Sequence, residues 1–170
     1  MVAPDLLGKL LHVQLDGIRC TGRIVETEAY MPDDPASHTY NGETNRNAVM
    51  FGPPGHLYVY LSYGIHQCAN AVTGPVGSGQ AVLIRAIEPI DGLDVMEARR
   101  GRSGRELSNG PGKLCRALGI TAEHDGLDLV ASQTIWMSDD GAEQGKTLVG
   151  PRVGISKGTE TPWRFRSVAR

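Results

Sequence analysis

Glu26, Glu28 and Tyr30 alternate along the segment RIVETEAY. If that segment is a strand, its period of two puts them on one face with Ile24, and Val25, Thr27 and Ala29 on the other. Two carboxylates and a phenol on one face need either solvent or a polar site. Glu28 is the sharpest candidate for chemistry. A carboxylate near a second carboxylate and near arginine can have its protonation tuned, which suits a general base working on water. The competing reading is an exposed edge strand that carries two glutamates for solubility. Arg85 is the other charge out of place. It interrupts the apolar run AVLIRAI and shares a strand face with Ala81, Leu83 and Ile87. A buried charge without a partner is costly, so Arg85 needs one.

The aromatic residues are the second feature. The chain has five Tyr, two Phe and two Trp in 170 residues, and Tyr58, Tyr60 and Tyr63 all fall in YVYLSYG. Exposed aromatic faces beside a carboxylate could stack a flat ligand such as a nucleobase. Tyr63 precedes Gly64 where a hairpin turn is expected, and an aromatic at a hairpin tip could wedge into a base stack. Tyr58 and Tyr60 could equally be ordinary half-buried sheet residues, leaving only Tyr63 to explain. His38 lies between Ser37 and Thr39 in a loop, where solvation is the ordinary fate. No G-x-S-x-G, P-loop or H-E-x-x-H pattern occurs. Cys20, Cys68 and Cys115 form no C-x-x-C pair, so neither a metal site nor a disulfide framework is expected, and no cofactor. Lys9, Lys113, Lys146 and Lys157 all lie outside the apolar stretches that favour a Schiff-base amine.

Several elements must position these residues. LHVQL-DG-IRCTGRIVETEAY reads as a hairpin around Asp16-Gly17, a dipeptide that favours positive φ in a type I′ turn. Residues 31–55 are rich in Pro, Asp, Ser, Asn and Gly and read as a long loop, often a functional feature in a compact domain. HLYVYLSYG and HQCANAVTG read as a second hairpin turning near Tyr63-Gly64-Ile65, and AVLIRAIEP as a further strand. DGLDVMEARRGR reads as a short helix capped by Asp91. SNGPGKLCRALGI reads as another, with Ser108 or Asn109 near its cap, Pro111 in its first turn and Gly119 past its end. DLVASQTIWM, GPRVGIS and PWRFRSV read as strands and turns. Together these predict one domain over residues 1–170, α+β, with an antiparallel sheet and several short helices.

Charge is uneven. The net charge is −2, yet Arg99, Arg100, Arg102, Arg105, Lys113 and Arg116 cluster, and the tail adds Arg152, Lys157, Arg164, Arg166 and Arg170. Such a patch could bind phosphate although the whole chain is slightly acidic; it could equally be a solvated helix face. There is no apolar run of about 18 residues, so no membrane-spanning helix is expected. The N-terminus has neither a basic lead nor a small-residue cleavage site, so a cytoplasmic location is expected, nucleoid-associated in a bacterium.

RIVETEAY, a His in the following loop, NRNAVMFGPPGHLYVYLSYGIHQCAN, VLIRAIEP and LSNGPGKLCRALGI occur in the order and near the spacing of one family. In these segments the chain resembles the alkyladenine (3-methyladenine) DNA glycosylases, from LLGKLL to RFRSV. The resemblance implies a curved antiparallel sheet, a partly open barrel, with a protruding β-hairpin. It implies a monomeric base-excision-repair enzyme, without lyase activity, that extrudes alkylated or deaminated purines from double-stranded DNA. It places the water-activating role on Glu28, with Arg85 near the water. It sets Tyr30 on one side of the flipped base and His38 and Tyr60 on the other. Asn70 would obstruct the guanine amino group, and the Val153 carbonyl would face the water. Tyr63 would fill the gap in the duplex, while Arg46, Gly112 and Lys113 would meet phosphates. The alternative is a non-catalytic binder of damaged or distorted nucleic acid, which has no need of Glu28. A third reading, a hydrolase of small nucleosides, has no need of Tyr63.

Overall fold

The Asp16-Gly17 turn forms as expected, with φ of 52° and 77°, and joins β1 (Leu10–Leu15) to β2 (Ile18–Tyr30). It is seen in a computed structural model that describes residues 1–168; Arg170, counted among the tail cations, lies outside the described residues. The remaining strands are β3 (Leu57–Ser62), β4 (His66–Thr73), β5 (Gln80–Asp91), β6 (Ile135–Ser138), β7 (Lys146–Gly150) and β8 (Arg164–Val168). They form one curled antiparallel half-barrel in the order β3-β4-β5-β2-β1-β6, with β8 pairing β2 and β7. The expected α+β class with short helices and a protruding hairpin is what the chain adopts.

β2 is the organising strand. One edge pairs with β5; the other pairs with β1 over Ile18–Arg23 and with β8 over Glu26–Glu28. The register of β2 against β5 skips Val25 on one strand and Arg85 on the other. These bulges alter the alternation on both strands. Ile24 and Ile87 therefore enter the main core with Ala29 and Ile84. The expectation that Ile24 shares the Glu28 face, and Ile87 the Arg85 face, is corrected for this reason.

The main core lies between the sheet and α1 (Val2–Asp5), α2 (Leu93–Arg100) and α3 (Pro111–Leu118). It includes Ala3, Leu11, Ile84, Met96, Leu114 and Leu118. Pro111 starts α3 and Gly119, at φ 81°, ends it, as expected. The expected side-chain caps do not form. Gly92 and Gly110 take the two N-cap positions. At Gly92 a side chain is excluded: φ is 76° and a Cβ would lie 2.6 Å from the Arg19 carbonyl oxygen. Asp91 instead accepts the Gly92 N–H, and the Ser108 hydroxyl donates to the Ile87 carbonyl.

In the DLVASQTIWM segment only β6 is strand; GPRVGIS contributes only its first residue, Gly150, the end of β7, and the rest of β7 lies in a stretch where no strand was expected. The long loop is ordered from within. Asn47 donates to the carbonyls of His38 and Gly42, and Thr39 to that of Gly79. Its 3₁₀ turn (Ala48–Phe51) brings Met50 onto a smaller apolar cluster with Tyr58, Val72 and Ala81. The three cysteines are free and buried. Among the described residues no helix is long and apolar enough to cross a membrane, and no three metal-ligating side chains come together.

Candidate active site

Alternation on β3 divides its side chains between two environments. Leu57 and Val59 enter the main core, whereas Tyr58 and Tyr60 line a cavity of about 590 Å³. Tyr30, His38, Asn70, Arg85 and Val153 line the same cavity, and Arg46 and Tyr63 stand in its wall. β2, β3, β4, β5 and two loops thus bring together residues spread over more than 120 positions of sequence.

Glu28 is fully buried, behind Tyr30, Arg85 and Val153. All three donate to it. Glu28 Oε1 accepts the Val153 N–H at 2.8 Å; Oε2 accepts the Tyr30 hydroxyl at 3.0 Å and Arg85 Nη1 at 3.2 Å. A carboxylate withdrawn from water needs such donors to replace its hydration. The partner that Arg85 required is therefore a pair: its Nε also donates to Glu26 Oε1 at 2.9 Å, and Arg164 Nε reaches the same oxygen at 2.7 Å. The bulge that leaves Arg85 out of register lets it span both carboxylates. Burial works against the Arg85 charge, but Glu28 and Glu26 outweigh it and raise its pKa. The two carboxylates are thus part of a buried network, not of a solvated edge.

The ring groups are held neutral. Burial, then the Glu28 charge, pushes the Tyr30 hydroxyl up. Burial pushes Tyr58 up to about 12 and Tyr60 further still. Burial, then Arg46, lowers His38. His38 Nδ1 lies 3.1 Å from the Tyr58 hydroxyl, and its ring meets Tyr60 edge-on with centroids 4.4 Å apart. Asn70 donates from Nδ2 to the Tyr58 carbonyl at 3.1 Å, which fixes its amide beside the cavity.

The β3–β4 hairpin carries Tyr63 at its tip. Tyr63 is 87% exposed and has φ of 49°; Gly64 follows at 72°. Positive φ on a tyrosine is strained, and Ile65 beside it is also exposed. Arg46 donates to the Leu61 carbonyl on the same hairpin.

Gly112 and Lys113 stand apart from the cavity lining. Gly112 packs closely on His66, where a Cβ would come within 2.9 Å of the His66 Cβ. Lys113 Nζ is held by Glu106 at 2.7 Å and Asn109 at 2.8 Å. Two contributors were not anticipated. The Val153 backbone N–H binds Glu28, a donor that leaves no mark in a sequence. Arg152 and Asp34 form a buried pair beside Tyr30, and only their charges showed.

The methylpurine-DNA glycosylase (MPG) family profile matches residues 1–169. The chain belongs to the methylpurine-DNA glycosylase family. This makes it a DNA glycosylase for alkylated bases, with DNA as its substrate. Several curated relatives carry the provisional name 3-methyladenine DNA glycosylase. The one from Nitrosospira multiformis is 52% identical over 96% of this chain and 82% of its own length. Those from Granulibacter bethesdensis and Carboxydothermus hydrogenoformans are 54% and 46% identical, over 96% and 97% of this chain and 77% and 87% of their own lengths.

Proposed function

We propose that this glycosylase releases alkylated and deaminated purines, 3-methyladenine among them, from double-stranded DNA after flipping the damaged nucleotide into the cavity. The observation that carries this reading is Glu28, buried and held by three donors directly behind an aromatic cavity. Glu28 orients one water and takes its proton as the water oxygen bonds to C1′. The C1′–N bond breaks and its electrons leave with the base. Purines alkylated at N3 or N7 depart readily because they carry positive charge, which electron-rich rings also favour. Tyr30, His38 and Tyr60 receive the base, and Asn70 rejects the guanine amino group. Arg85 holds Glu28 in place near the water, and the Val153 carbonyl faces the water. Lys157 borders the cavity and is exposed, whereas Glu28 is buried behind the cavity lining.

Hydrolysis without strand cleavage is read from Glu28, which activates water, rather than from an amine nucleophile. Tyr63 fills the gap left in the duplex, Arg46 meets a phosphate, and the start of α3 at Gly112 and Lys113 meets another, where phosphate competes with Glu106 for Lys113. A monomer suffices, since every group named comes from one chain.

Single-turnover base release from duplexes carrying 3-methyladenine, 7-methylguanine, hypoxanthine or ethenoadenine tests the reading. Wild type should release at least one of them, and Glu28→Gln should slow release by about 10²- to 10⁴-fold, the usual contribution of a general base, with binding retained. Binding of all four without release by wild type would favour a damage-binding protein. Release by Glu28→Gln at the wild-type rate would remove Glu28 from the mechanism.

A further inference from the structure

Arg152 is the most committed cation beside the cavity, and nothing in the proposed chemistry uses it. Its side chain is 0% exposed, and that of its partner Asp34 is 2% exposed. Both Arg152 terminal nitrogens donate to Asp34, Nη2 at 2.9 Å and Nη1 more closely. Nη1 also donates to the Ala29 carbonyl at 3.0 Å, and Nη2 to the Gly158 carbonyl at 3.3 Å. The guanidinium lies 4.7 Å from the Tyr30 ring centroid and 5.3 Å from that of Trp163. Four separate segments therefore meet on one planar group: the end of β2, the start of the long loop, the 151–158 loop and the approach to β8.

Two of these contacts bear on Glu28. Tyr30 donates its hydroxyl to Glu28 Oε2, and Arg152 covers its ring. Tyr30 lines the cavity whereas Arg152 does not, so the guanidinium backs the wall. Val153, the next residue after Arg152, donates its N–H to Glu28 Oε1. Anchoring Arg152 thus places two of the three donors that hold the carboxylate. A bidentate arginine–carboxylate pair fixes orientation as well as distance.

We propose that Arg152, clamped by Asp34, is a positioning residue that sets Tyr30 and the Val153 N–H on Glu28 and thereby aims the carboxylate at its water. This rests on the reading of Glu28 given above. The pair never touches substrate, so its loss should slow the chemical step and spare DNA binding.

The test compares wild type, Arg152→Met, Arg152→Lys, Asp34→Asn and Glu28→Gln in single-turnover release at saturating enzyme, with duplex Kd measured alongside. The rate constant in Arg152→Met should fall on the order of 10- to 100-fold, the range for losing a group that orients an active-site ligand. Release amplitude should stay full and Kd should change by less than about threefold, since phosphate contacts set affinity. Arg152→Lys, which keeps the charge without the fork, should recover part of the rate. A merely structural role would lower the amplitude, as misfolded enzyme drops out, and leave the rate constant of the remainder unchanged. That result overturns the proposal. If Arg152→Met does not fold, Asp34→Asn, which keeps the shape of the site, takes its place under the same criteria. Wild-type rates in Arg152→Met and Asp34→Asn with a slow Glu28→Gln would sink the clamp alone. A wild-type rate in Glu28→Gln would sink the reading of Glu28, and the clamp with it.

Discussion

Arginines do opposite work in two regions of this molecule. Beside the cavity, Arg85 and Arg152 are held by carboxylates: Glu26 and Glu28 in one case, Asp34 in the other. In the helical region most of the arginines that cluster in the sequence are held by backbone oxygens. Arg99 donates to the Ala117 and Leu118 carbonyls at the end of α3, Arg116 to the Arg99 carbonyl, and Arg100 to the carbonyls of Glu106 and Leu107. A cation at a helix C-terminus satisfies carbonyls that have no partner within the helix and opposes the helix dipole. Arg99 and Arg116 thus tie α2 to α3, and Arg100 ties α2 to the turn that follows it. Of the two isolated arginines, by contrast, Arg85 donates to Glu28 and Arg152 covers the ring of Tyr30, which also donates to Glu28. Clustering of charge in a sequence is a weaker guide to a site than one charge placed where burial forces it to find a partner.

Exchanging the same residue in both regions gives the largest contrast. Arg85→Met leaves Glu28 and Glu26 buried with one fewer cation, so it should cost about 3 kcal/mol of stability, in line with breaking a buried pair. It should also slow base release strongly. Arg99→Met removes hydrogen bonds to two carbonyls and should cost about 1 kcal/mol, with the rate per folded molecule unchanged. Denaturant unfolding and single-turnover release would check both; equal effects on release would erase the distinction.

Backbone strain sharpens the contrast further. The helical region takes its left-handed positions on glycines such as Gly92, Gly101 and Gly119, while the hairpin at the cavity takes one on Tyr63. Tyr63→Gly relieves that conformation and should leave stability unchanged or raise it by a few tenths to about 1 kcal/mol. The same substitution should weaken binding to a lesion duplex. A loss of stability would mean that the tyrosine ring packs for the fold.

The smallest effect is a pH dependence to which the cavity side contributes through His38. His38 has its pKa lowered by burial and by Arg46. A histidine with a lowered folded-state pKa favours the fold above its unfolded value of about 6.5, and this contribution is lost as pH falls through the folded value. Tm should therefore drop modestly as pH is lowered below 6.5, and less so in His38→Gln. His12, also lowered by burial and Arg19, will keep part of the slope in that variant. Identical pH profiles for the two proteins would count against a neutral His38 held by its surroundings.

Local signals in the sequence were strong enough to settle several elements. Asp16-Gly17 specified the first hairpin because positive φ is cheap at those residues, and Pro111 with Gly119 bounded α3 for the same kind of reason. Arg85 could be singled out because a charge in an apolar strand must be paired, and Glu28 because it alternates with a second carboxylate and a tyrosine. Local alternation could not foresee the paired bulges that skip Val25 and Arg85, since these depend on how two strands 57 positions apart meet. Nor could it place the Val153 N–H, 125 positions from Glu28, or show that Asp34 and Arg152, 118 positions apart, share one buried contact. Residue types are fixed by the chain and limit what each group can donate, accept or stack. Which of them share a desolvated space is decided only when distant segments pack, and that shared burial gives the carboxylate of Glu28 its particular set of donors.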